Sequence, residues 1–263
     1  ALGYRAYDMV YLDNEIEKAT SSVQISKDRI QNKFFDLALT EEGEVLAILD
    51  KQQNNKLILG VDTDVETRVV YLPFDRTTAY RFRSTLSLLD HYLPRGYEII
   101  EHGPVRTILL TKYESPNANI SMYQTLYEKL DQIDVKIVYK SKHHSGDLMD
   151  ISSGDQREKL FMDFILPENG DVRCNTVADY LEERRDYYFS NSWIDFQGYE
   201  GDKFMIMHEG LHAWHKTFAS EVTRNKRERV LACELAITVN EYIPGMLRFN
   251  QRSSDEGEVI HRF

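Results

Sequence analysis

A chain of 263 residues and 30.8 kDa is long enough to bury one large core without disulfide staples. Its 43 acidic against 32 basic residues give a formal net charge of -11 and a pI of about 5.3, so no global field attracts nucleic acid or an anionic membrane. Mean hydropathy is -0.49, and no apolar run approaches the roughly 20 residues of a membrane span, which predicts a soluble protein.

Residues Ala1 to Asp13 lack the basic start and apolar centre of a signal peptide, and residues 1–22 read as a lead-in from a preceding domain. From Val23 onward the dominant pattern is short runs with period-two apolar spacing, bounded by Gly, Asn, Asp or Pro, as antiparallel sheets require. In "FFDLALTEEGEVLAILDK", Phe35, Leu37 and Leu39 alternate, Glu41 to Gly43 supply a turn, and Val45 to Leu49 return, which predicts a hairpin. Further strands are predicted in "TRVVYLPF", "YEIIEHGPVRTILLTKY", "DQIDVKIVYK", "KLFMDFILP" and "SWIDF". Helical spacing competes in three places: "TTAYRFRSTLSLLDHYL", "VADYLEERRDYY" and "ERVLACELAITVNEY", the last of which threads equally well as strand. "PNANIS" and "SKHHSGDLMDISSGD" read as surface loops. The fold class expected is mainly β: an antiparallel β-sandwich over 23–263 with few short helices, truncated at its C-terminus.

Cys174 and Cys233 lie outside any CxxC pair and are too few for a disulfide framework; they read as small buried hydrophobes in a reducing, cytoplasmic compartment. "KFMIMHEGLHAWHK" contains the letters H-E-x-x-H at His208, Glu209 and His212. On one helical face, two histidines four residues apart bind zinc and the glutamate activates water, with Glu234 as a candidate third ligand; this defines a metallopeptidase alternative. Gly210 inside the motif and the alternation of "KFMIM" favour instead a strand running into a turn, which separates the two histidines and leaves Leu211 and Trp214 as core residues. On that reading no residue of this chain is a metal ligand. His143 and His144 with Asp147 read as solvated loop residues, and "RNKRER", Arg224 to Arg229, as a solvated basic turn. Trp193 and Asp195 form the candidate carbohydrate-binding pair, since an aromatic face stacks on the apolar face of a sugar while a carboxylate accepts from its hydroxyls. The competing reading of Trp193 is a core anchor of its strand.

Five stretches, in order, carry a resemblance: "ALGYRAYDMV", "IQNKFFDLALTEEGEVLAILDKQQNNKLI", "EIIEHGPVRTILLTKY", "SNSWIDFQ" and "MIMHEGLHAWHK". Together they resemble the post-catalytic β-region of glycoside hydrolase family 38, the α-mannosidases, whose sandwich is of the galactose-mutarotase-like supersandwich type. The segment "YLPFDRTTAYRFRSTLSLLDHYLPRGY" departs from the family's Asp-rich, Trp-containing pattern. The resemblance implies a retaining α-mannosidase whose nucleophile and zinc ligands lie on an upstream domain of the same polypeptide. This chain would then be a non-catalytic fragment contacting that domain and a mannose-containing glycan, with no cofactor of its own, no nucleic acid and no membrane. A third alternative is a stand-alone carbohydrate-binding module.

Overall fold

The computed structural model describes residues 21–60, 78–84, 92–114, 118–141, 158–168, 170–175, 180–182, 187–199, 201, 203–209, 212–218, 229–238 and 258–263. In chain order the strands are β1 (Gln24–Ile25), β2 (Arg29–Gln31), β3 (Phe35–Leu39), β4 (Val45–Asp50), β5 (Lys56–Gly60) and β6 (Tyr80–Ser84). They continue as β7 (Leu93–His102), β8 (Arg106–Glu114), β9 (Ala118–Tyr127), β10 (Ile133–Ser141), β11 (Glu158–Ile165) and β12 (Gly170–Asn175). The last are β13 (Tyr180–Glu182), β14 (Tyr187–Ser190), β15 (Trp193–Gly198), β16 (Lys203–Met207), β17 (His212–Phe218), β18 (Arg229–Thr238) and β19 (Glu258–Arg262).

The predicted mainly β class is what forms, and every pairing is antiparallel. The strands make four separate sheets: β1-β2-β3-β4-β5, β19-β10-β9-β8-β7, β14-β17-β18-β11-β6 and β13-β12-β15-β16. Four sheets around shared apolar contacts suggest a propeller-like arrangement, and the two facing layers expected of a sandwich are not confirmed. The expected short helices do not form among the described residues: Tyr80–Ser84 are β6, Tyr180–Glu182 β13, Tyr187–Ser190 β14 and Arg229–Thr238 β18, while 85–91, 177–179, 183–186, 228 and 239–242 lie outside the described residues. No helix of the described residues is long and apolar enough to cross a membrane.

Local chemistry explains the hairpin between β3 and β4. Thr40 and Glu44 close its turn through Thr40 N donating to Glu44 O at 2.8 Å, and Gly43 N donates to Thr40 O at 3.0 Å. Gly43 takes φ +82, and a Cβ there would lie 2.3 Å from the Tyr97 side chain of the second sheet, so both conformation and space demand glycine. The threonine on the neighbouring strand, Thr111, donates to the Gly43 carbonyl at 2.9 Å and ties the two sheets together.

One apolar cluster draws on all four sheets. Leu37 comes from the first, Leu109, Met122 and Ile137 from the second, Met162, Trp214 and Leu231 from the third, and Ile194 and Phe196 from the fourth; each is essentially inaccessible to water. Each such side chain contributes about 1.5–3 kcal/mol relative to exposure, which is why four small sheets hold together as one unit. Cys174 and Cys233 are buried free thiols within this cluster, as the sequence predicts.

Candidate functional site

The four-stranded sheet carries the candidate site. Along β15 the burial alternates: Ile194 and Phe196 point into the core, while Trp193, Asp195 and Gln197 are half-buried on the opposite face. Register places Trp193 opposite Met207, Asp195 opposite Met205, and Gln197 opposite Lys203 on β16. On the other side of β15, Arg173 of β12 lies opposite Asp195 and Asp171 opposite Gln197. Met205 and Met207 are 58% and 65% exposed, large values for thioether side chains and the reason this face stands out. The Gln197 amide donates to Asp195 Oδ2 at 3.0 Å, and the Tyr199 hydroxyl donates to Asp171 Oδ1 at 3.1 Å. The outcome is a face on which Trp193 lies opposite Met207 and Asp195 opposite Met205, with the Asp195 carboxylate oriented by the Gln197 amide.

Asn175 sets the entrance to that strand. Its Oδ1 accepts from the backbone N–H groups of Ser192 and Trp193, both at 3.0 Å, and its Nδ2 donates to Ser192 Oγ at 2.8 Å. A side-chain amide that replaces backbone partners in this way fixes a turn, and here it fixes where Trp193 leaves the sheet. Ser190 is buried in the same turn, donating to the Trp193 carbonyl at 2.7 Å. Trp193 is thus on an outer face, and the core tryptophan is Trp214, which is fully buried. The sequence reading paired Trp193 with Asp195, which share a face of β15, and did not single out Met205, Met207, Arg173 or Asn175 around them. The alternation of "KFMIM" was the available signal for the two methionines.

His208, Glu209 and His212, the described letters of the H-E-x-x-H motif, are not helical. β16 ends at Met207 and β17 begins at His212, and the two strands belong to different sheets, so the segment is a crossing between sheets. The expected separation of the two histidines is corrected: the crossing turns both rings into the core, with centroids 5.0 Å apart. His208 Nε2 lies 2.9 Å from Ser190 Oγ, and His212 Nε2 lies 3.1 Å from the Glu209 carbonyl. His261 of β19 comes within 5.3 Å of the His212 ring, and Trp214 and Phe263 line the same cluster. Burial, reinforced by His212, pushes the His261 imidazole down to about 4. The Glu209 carboxylate points outward to Arg262 at 2.9 Å, away from both rings, whereas a zinc peptidase needs it over the metal-bound water. Among the described residues no group of three or more His, Cys, Asp or Glu has metal-binding geometry. Glu234 falls in β18, opposite Phe161 in register.

Gly210, Leu211, His143, His144, Asp147 and the basic residues up to Glu228 lie outside the described residues, and Arg229 opens β18. No family model matches the chain, and no curated protein matches it.

Proposed function

We propose that the chain is a non-catalytic carbohydrate-binding module whose ligand seat is the outer face of β12, β15 and β16. One observation carries this reading: Trp193 lies on that face beside the oriented Asp195–Gln197 pair, with Met205 and Met207 extending the apolar surface. An indole stacks on the apolar face of a pyranose, a carboxylate accepts from its hydroxyls, and an amide supplies both donor and acceptor. The acidic balance of the chain suits a neutral ligand.

The motif resemblance makes a mannose-containing glycan the first ligand to try, and it assigns hydrolysis and zinc to a catalytic domain of the same polypeptide. The propeller-like arrangement weighs against the supersandwich of that family, so the proposal rests on the face and not on the family. A stand-alone module would use the same seat.

The test exploits the presence of two tryptophans, of which Trp214 is fully buried. Methyl α-mannoside and an α-mannobiose are titrated while Trp193 emission and the indole N–H resonance are followed. Binding should move the Trp193 signal and leave Trp214 still; Trp193→Ala should abolish it, and Asp195→Asn should weaken it about tenfold or more, as expected when hydrogen bonds to a charged group are lost. A flat titration at millimolar glycan, or binding that survives Trp193→Ala, overturns the proposal.

A further inference from the structure

β19 is an edge strand. Among the described residues it pairs with β10 alone, from Lys136 opposite Arg262 to Lys140 opposite Glu258, and Phe263 extends the pairing by exchanging two backbone bonds of 2.8 Å with Val135. Two further ties reach it from the crossing segment: Glu209 N donates to Arg262 O at 3.2 Å, and the Glu209 carboxylate pairs with the Arg262 guanidinium. That ion pair is well exposed on both sides and contributes little. What seats the strand is therefore its inward side chains. Among the described side chains, Phe263 packs on Phe164, Trp214 and His212. Another is His261, an imidazole among apolar groups whose Nε2 is buried with no hydrogen-bond partner.

We propose that His261 makes β19 an acid-released latch: protonation of its imidazole frees the strand from β10 and from the His208–His212 pair. The surroundings leave the charged form nowhere to go. On β10 the ring meets Ile137 in register, flanked on the same face by Val135 and Tyr139, while Lys136 and Lys140 sit opposite Arg262 and Glu258. From β17 it meets the His212 ring, with His208 behind that, and β18 offers the Leu235 carbonyl, a single neutral acceptor. From the crossing segment, Glu209 is occupied by Arg262 on the exposed side. Among the described residues, the titratable group acting on the ring is His212, and it opposes the positive charge.

The sign follows from which state binds the proton more readily. The closed strand holds His261 near 4, below the ordinary 6.5 of an open, hydrated imidazole, so the open strand takes up protons first. Closure is at full strength above about pH 6.5 and is lost as the pH falls toward about 4. With those two values the opening equilibrium rises about twenty-fold between pH 7 and pH 5. This does not depend on the sugar reading, since it involves no ligand.

Hydrogen exchange of the intact chain, corrected for intrinsic rates, tests the latch at pH 7, 6 and 5. The segments 258–263 and 133–141 should lose protection about twenty-fold, while 35–50 in the first sheet holds steady. His261→Phe should remove the pH dependence, whereas His102→Phe on β7 should leave it intact. A change under threefold at 258–263, or an equal loss in the first sheet, overturns the proposal, as does the same acid response in His261→Phe. Should His261→Phe not fold, the wild-type comparison of the two sheets decides alone.

Discussion

The ion pair between β6 and β11 offers the sharpest test of how the third sheet is held. Asp163 lies opposite Arg81 in register, with the whole of β11 from Leu160 to Ile165 buried around it. The Arg81 Nε and Nη2 both donate to Asp163 Oδ2, at 3.1 and 3.0 Å, and the carboxylate side chain is 0% exposed against 23% for the guanidinium. A carboxylate withdrawn this far from water depends on its cationic partner, so Arg81→Met, which removes the guanidinium, should cost about 3–5 kcal/mol. Asp163→Ala should cost somewhat less, because the guanidinium left behind still reaches solvent. The double variant Arg81→Met/Asp163→Leu should recover most of the loss and fall within about 1–2 kcal/mol of wild type, since an apolar pair needs neither desolvation nor a partner. Urea unfolding followed by the emission of Trp214, which packs 5.7 Å from Phe164 on the same strand as Asp163, reads all four proteins. The reasoning fails if Arg81→Met costs under 1 kcal/mol, or if the double variant loses the sum of the singles.

Two other outcomes follow from single sites. A Cβ at Gly198 would lie 2.0 Å from Oε1 and 2.3 Å from Cδ of the buried Glu168, so Gly198→Ala should destabilise by about 1–3 kcal/mol, whereas at Gly103 the nearest atom is 3.9 Å away and the same change should be close to neutral in the same urea assay. The purified chain should not hydrolyse an aryl α-mannoside; turnover that disappears when a carboxylate of the chain is substituted would place an active site inside it and end the non-catalytic reading.

How much of this was legible depended on whether a strand is wet on one side. The hairpin of β3 and β4 was readable because its turn at Gly43 interrupts the run, and β15 was readable as a strand because its buried and half-buried residues alternate. β18 was not, because Val230, Leu231, Ala232 and Cys233 are all buried in succession. Val230 and Ala232 join Phe161 and Ile165 in a small cluster on one face, while Leu231, Cys233 and Leu235 enter the main core on the other. A strand buried on both faces loses its period of two, and its apolar run then fits a helix equally well. Sheet membership was also out of reach, since β6 pairs with β11 and β10 with β19 across long stretches of chain that leave no trace in local spacing.

The H-E-x-x-H segment shows why spacing alone misled in both directions. The helical reading brings His208 and His212 together by pitch, and the strand reading holds them apart by extending the chain and turning it at Gly210. Neither geometry applies, because the chain changes sheets between them, and a crossing obeys the positions of the two sheets it joins. The rings meet at 5.0 Å for that reason, and the third ring arrives on β19, whose place beside β10 no local pattern announces. Proximity so obtained is not metal chemistry: Nε2 of His208 is at hydrogen-bond distance from Ser190, Nε2 of His212 from the Glu209 carbonyl, and the one carboxylate in the motif has turned to Arg262. What the arrangement does instead is store three imidazoles in an apolar setting, and Ser190, by also holding the Trp193 carbonyl, joins that store to the turn that aims the candidate sugar seat. Ser190 thus bonds both the Trp193 carbonyl and the first of three rings in a row, His208, His212 and His261.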